Sequence, residues 1–98
     1  MLDDDLAGIL RALGHPARLS ILRVMAAKQH DCCCADVAQC LPLAQSTVSQ
    51  HIKVLLEAGL IERRAQGVKN CYTVVPDRLS ALDEALRTLA DSLVGRSV

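Results

Sequence analysis

Apolar residues recur along this chain at helical spacing over most of its length, and at strand-like density over one short stretch near residue 70. Leu2, Leu6, Ile9, Leu10 and Leu13 fall on one side of a first helix, 2–13. Asp3, Asp4 and Asp5 sit in its first turn, where the helix dipole favours acidic groups, and Gly14 stops it. His15-Pro16 opens a second helix, since proline is tolerated in a first turn, and its inner face is expected to hold Leu19, Ile21, Leu22 and Met25. Residues 34–58 read as helix-turn-helix: Asp36 to Leu41, the helix-breaking Leu41-Pro42-Leu43, and a second helix within Ala44 to Ile61. Two β-forming segments, Leu60 to Ala65 and Asn70 to Val75, flank Gln66-Gly67-Val68-Lys69 and predict a hairpin over 60–75. On the last helix, 77–94, Leu79, Leu82, Leu86, Leu89 and Leu93 form a heptad seam.

The second helix of the pair carries the informative face. Val48, Ile52, Leu55 and Leu56 turn inward at helical spacing, which leaves Ser46, Ser49, Gln50 and Lys53 outside. A merely solvated helix would carry Glu/Lys pairs four apart. Uncharged hydroxyl and amide groups beside one lysine suit instead the major groove of B-form DNA, about 12 Å wide, where amides pair with adenine and hydroxyls reach base edges or phosphates.

Composition narrows the partner. The 98 residues make one small domain, a size that gains from burying a face against a second copy. One aromatic residue, Tyr72, in a chain that is 51% hydrophobic means an aliphatic core. It also weighs against single-stranded nucleic acid, whose recognition relies on stacking. Zero formal net charge argues against indiscriminate nucleic-acid binding. The charge is uneven, however: Gln45 to Tyr72 holds four basic residues against two acidic, and Met1 to Gly14 one against three. No apolar run of transmembrane length occurs and the acidic start lacks the basic region of a signal peptide, so the chain is expected to be cytoplasmic, with no membrane partner. No nucleophile with a base, phosphate loop or carboxylate pair can be assembled, so an enzyme is not expected.

Gly14-His15-Pro16-Ala17-Arg18, Ser46-Thr47-Val48-Ser49-Gln50-His51, Glu57-Ala58-Gly59-Leu60-Ile61, Gly67 and Tyr72 together resemble the ArsR/SmtB family of small winged helix-turn-helix repressors, over most of the chain. The resemblance implies a mainly α fold with a small β-hairpin, a homodimer through the terminal helices 2–13 and 77–94, and a double-stranded, partly palindromic operator as partner. With the helix geometry, it implies that Gln45, Ser46 and Thr47 open the reading helix against a phosphate or first base edge, although Ala44 stands where a capping serine is expected. Ser49, Gln50 and Lys53 face the groove, and Gln50 is the best candidate base reader. His51 lies nearer the core flank, with a structural or a DNA-contacting role. Arg63, Arg64 and Lys69 hold phosphates or the minor groove at the wing, or are simply solvated.

Five cysteines in a reducing compartment are thiols. Cys32, Cys33 and Cys34 lie immediately before the helix-turn-helix, where the resemblance implies metal or arsenite ligands. Cys33 takes the place of the family's usual cysteine, while its second position falls on Ala35, a departure. Side chains of consecutive helical residues diverge by ~100°, so the three converge on one ion only if the backbone bends. Cys40, two turns beyond Cys33, is expected to be a core thiol, and Cys71 belongs to the wing strand. Clustered soft donors favour arsenite or antimonite as inducer, with Cd, Pb, Zn or Cu as alternatives. His30 and Asp31 could add a donor for zinc. No cofactor is required. Two other readings stay open: a redox- or persulfide-sensing repressor of the same fold, since adjacent thiols oxidise without metal, and a winged-helix protein-interaction module that does not bind DNA.

Overall fold

The computed structural model describes residues 1–28, 32–67 and 69–95, with the side chains of Gln66 and Lys69 left out of that description. In chain order, the described elements are α1 (Asp3–Leu13), α2 (Pro16–Lys28), β1 (Cys32–Cys33), α3 (Cys34–Gln39), α4 (Gln45–Glu57), β2 (Ile61–Gln66), β3 (Lys69–Val74) and α5 (Pro76–Leu93). This is a winged helix-turn-helix: α3 and α4 form the helix pair, and β2 and β3 the wing. The sheet is larger than a hairpin. A third strand, the two-residue β1, pairs antiparallel with the other edge of β3, giving the order β1-β3-β2.

Every element but β3 sends a buried side chain into one aliphatic core: Ile9 from α1, Ile21 and Met25 from α2, Cys32 from β1, Val37 from α3, Val48, Ile52 and Leu55 from α4, Ile61 from β2 and Leu82 from α5. Tyr72 and Val74 of β3 pack against it half-buried. The expected inner faces are corrected at three positions. Leu2 precedes α1 and is 76% exposed, while Leu10 and Leu19, placed inward by periodicity, lie at the rim, both 38% exposed.

The link from α4 to the wing is tightly specified. Gly59 has φ +75, in the left-handed region, so that its N–H donates to the Leu56 carbonyl (3.0 Å) and the Leu60 N–H to the Leu55 carbonyl (3.1 Å). Leu60 then accepts from the Val75 N–H at 3.0 Å and closes the base of the wing.

The leucine seam of α5 divides. Leu82 is buried and Leu79 half-buried against the protein's own core, but Leu86, Leu89 and Leu93 are exposed. The radius of gyration is 15.1 Å, against about 13 Å for a compact chain of this length. The body is elongated, with principal extents of 50 × 24 × 23 Å. Among the described residues, no helix is long and apolar enough to cross a membrane.

Gly59→Ala should lower stability by about 1–2 kcal/mol, the cost of a left-handed residue with a Cβ. Urea unfolding of the two proteins measures it, and equal midpoints would remove this role for the turn.

Candidate nucleic-acid interface and the adjoining thiols

α4 is split lengthwise. Val48, Ile52 and Leu55 are buried, whereas Gln45, Ser46, Ser49, Gln50 and Lys53 are exposed along the opposite side. Thr47 and His51 lie half-buried at the flanks. Ala44, the N-cap, makes no side-chain cap, so the opening amides of a 13-residue helix lack the partner that a serine would supply. The arrangement offers N–H donors and a positive dipole end to an anion, followed by a row of hydroxyl, amide and ammonium groups.

The helix is held from behind by a cluster whose chemistry the sequence motif did not reveal. His15 Nδ1 accepts the Ala17 N–H at 3.1 Å and so caps α2. Arg18, in the first turn of α2, donates Nε–H to the Ala12 carbonyl and reaches His51 Nδ1 at 3.3 Å. The His15 and His51 rings lie 4.6 Å apart. A guanidinium only donates, so His51 Nδ1 is the acceptor and its proton resides on Nε2. Burial, then His15 and Arg18, hold the His51 imidazole below its ordinary pKa. His51 therefore joins α4 to α1 and α2 as a neutral ring. At the other end of α4, Arg78 of α5 donates Nε–H to the Ala58 carbonyl at 3.3 Å, placing a cation where the helix dipole is negative. Periodicity could not single out this residue, because the contact joins segments 20 residues apart.

On the wing, Arg63 and Arg64 are exposed and point to opposite faces of β2. Arg64 pairs with Glu62 at 3.4 Å, with both side chains more than half exposed. Such a pair contributes little and yields readily to a phosphate. Lys69 is opposite Gln66 at the wing tip by register, and its side chain lies outside the described part.

The thiols of the triplet do not converge on one point. Cys32 is buried in the core, where desolvation, followed by the Asp36 carboxylate, pushes its thiol up to about 11. Cys33 turns to the other face of the sheet, and its N–H donates to Asp36 Oδ2 at 3.1 Å. Cys34 starts α3, and its thiol, raised by burial and then by Cys33, contacts the Gln45 carbonyl at 3.6 Å, at the first residue of α4. Among the described residues, no three His, Cys, Asp or Glu side chains come together as a metal-ligand set. His30 and Asp31 lie outside the described residues. Cys40 corrects an expectation: it is exposed, not a core thiol, because α3 ends at Gln39 and Cys40 forms its C-cap in the turn.

Comparisons with known proteins agree with this geometry. A family model for a helix-turn-helix domain matches residues 13–64. An uncharacterized HTH-type transcriptional regulator of Methanocaldococcus jannaschii is 36% identical over 76 residues, covering 78% of this chain and 84% of that protein. The arsenical resistance operon repressor of Staphylococcus xylosus is 29% identical over 82 residues, covering 84% and 77%. Among solved structures, the homodimeric winged helix-turn-helix DNA-binding domain of a possible ArsR-family regulator from Mycobacterium bovis superposes with a TM-score of 0.72 at 24% identity, covering 92% of this chain and 82% of that one.

The His51 environment sets a pH dependence. Its folded pKa is below the unfolded value of 6.5, so its contribution is full above that value, and stability falls as the pH drops through it, where only the unfolded chain takes up the proton. Thermal melts from pH 7.5 to 5.5 should show this decline, and His51→Gln should flatten it. An unchanged slope in the variant would contradict the assignment.

Proposed function

The chain belongs to the ArsR family of winged helix-turn-helix transcriptional regulators, DNA-binding proteins rather than enzymes, and from that premise we propose that it is a homodimeric repressor released from its operator by a thiophilic inducer. The observation that carries the DNA-binding half is the exposed row Ser46, Ser49, Gln50 and Lys53 on a helix whose amino end is uncapped. In this reading Gln45, Ser46 and Thr47 meet a phosphate, Gln50 reads a base edge, Ser49 and Lys53 complete the groove contacts, and Arg63, Arg64 and Lys69 follow the backbone.

The dimer is proposed through α1 and the outer half of α5. Leu10, Leu86 and Leu89 are exposed on these helices, and a groove between them is lined by Leu6, Ala81 and Ala85. The Mycobacterium bovis relative is homodimeric. Two-fold pairing would present two α4 helices to successive major grooves, about 34–36 Å apart.

The inducer is proposed to be arsenite or antimonite, on the thiol chemistry and on the S. xylosus relative's being an arsenical resistance operon repressor. A ligand that collects Cys32, Cys33 and Cys34 must draw Cys32 out of the core, break the Cys33–Asp36 bond and detach Cys34 from Gln45. It thus prefers a conformation in which the amino end of α4 has moved, whereas DNA prefers the packed one. Linkage then makes the two ligands antagonists by an equal coupling energy, typically about 1–3 kcal/mol.

Gel shifts at low salt on the DNA upstream of the protein's own gene test this reading. Arsenite should release the complex; affinity unchanged by arsenite, antimonite and cadmium would remove the sensing half. Gln50→Ala should relax sequence preference, while Lys53→Ala should weaken binding to all sequences and reduce the salt slope by about 1 per subunit. The same loss in both variants on random DNA would contradict the assignment of roles.

A further inference from the structure

The register of the small sheet places two thiols opposite each other. Cys33 of β1 is the direct antiparallel partner of Cys71 of β3. Directly opposed residues share a face, and their Cα atoms stand about 4.5 or 5.5 Å apart depending on the hydrogen-bonding class of the pair. Both separations fall within the roughly 4.4–6.8 Å spanned by disulfides. Burial agrees with the register. The next pair in line, Cys32 with Tyr72, faces the aliphatic core, and both residues belong to it. Cys71, only 5% exposed, does not: it is buried on the reverse face, the face it shares with half-exposed Cys33. Cys33 is thus an accessible thiol directly beside a sheltered one.

We propose that Cys33 and Cys71 are an oxidisable dithiol that closes to an intramolecular disulfide on exchange with a small-molecule disulfide. Cys33, as thiolate, attacks one sulfur of the oxidant, forming a mixed disulfide and expelling one small thiolate. Cys71 gives its proton to solvent and attacks the Cys33 sulfur, expelling the second. Two protein thiols are oxidised to one disulfide and the oxidant is reduced to two thiols. The bond closes a loop from residue 33 to residue 71 that contains α3, α4 and β2, so it ties the helix-turn-helix to the wing. Cys32 cannot substitute, since it lies on the other face with a thiol held at about 11, and Cys34 has entered α3. Only the effect on the operator rests on the repressor reading: oxidation withdraws Cys33 from the thiols available to an inducer.

The test is to treat the reduced full-length protein with oxidised glutathione, block remaining thiols with N-ethylmaleimide and digest with trypsin. Cleavage separates Cys71, in residues 70–78, from the other four cysteines, in residues 29–53. The expected product joins these two peptides within one chain. It forms equally in Cys32→Ser and Cys34→Ser proteins and is absent from Cys33→Ser. The oxidised wild type should melt ~10 °C higher than the reduced one, a shift reversed by dithiothreitol and absent from Cys33→Ser. Cys71 recovered wholly as its maleimide adduct in the wild type, or linked to residues 29–53 in Cys33→Ser protein, would overturn the proposal. Neither readout uses DNA, so a protein that forms the bond and fails every gel shift loses the repressor reading and keeps the dithiol.

Discussion

Burial of one side of α4, with the other side left open, is the constraint on which the rest of the structure depends. Val48, Ile52 and Leu55 are almost wholly removed from solvent, and they share one core with buried side chains of α1, α2, α3, β2 and α5. With so few aromatic side chains available, the core is assembled from many small aliphatic contacts. A helix held in this way cannot rotate about its axis without exposing several of them, so the polar row on its outer side has a fixed bearing relative to the wing.

Along its axis α4 is held less firmly, by a few polar contacts from different parts of the chain. The Cys34 thiol touches its first carbonyl, Arg18 engages His51 at its middle, and Arg78 closes its carboxy end. Each comes from an element with a separate role: the thiol-bearing β1–α3 junction, the amino-terminal helices and the proposed dimer helix. A disturbance at the thiols or at the dimer face therefore reaches the reading helix through these contacts as well as through the core. This division, with a core that sets orientation and single hydrogen bonds that set position, suits a protein whose affinity for a partner must be adjustable without unfolding.

The sequence exposed the helices and the inner face of α4 because a 3.6-residue period needs only a few turns to declare itself. The wing was legible from its β-forming residues and glycine. β1 was not, since two residues carry no alternation, and without β1 the cysteine triplet could only be treated as one cluster. The strand sends Cys32 and Cys33 to opposite faces and pairs the latter with Cys71, a long-range relation invisible to local pattern. Cys40 departs from the core position that periodicity predicts for a related reason: helical phase does not extend past the end of a six-residue helix. The leucine seam of α5 follows its heptad period, but the period alone does not say that its inner half serves the core and its outer half is exposed.

Hydroxyl-radical footprinting of the protein on the DNA upstream of its gene decides whether two α4 helices act together on one operator. A two-fold assembly presenting two α4 helices should leave two protected stretches related by a dyad, with centres one helical turn, about 10–10.5 base pairs, or a small multiple of it, apart. Protection of a single stretch, or uniform protection that moves along the fragment as the protein concentration rises, would contradict it.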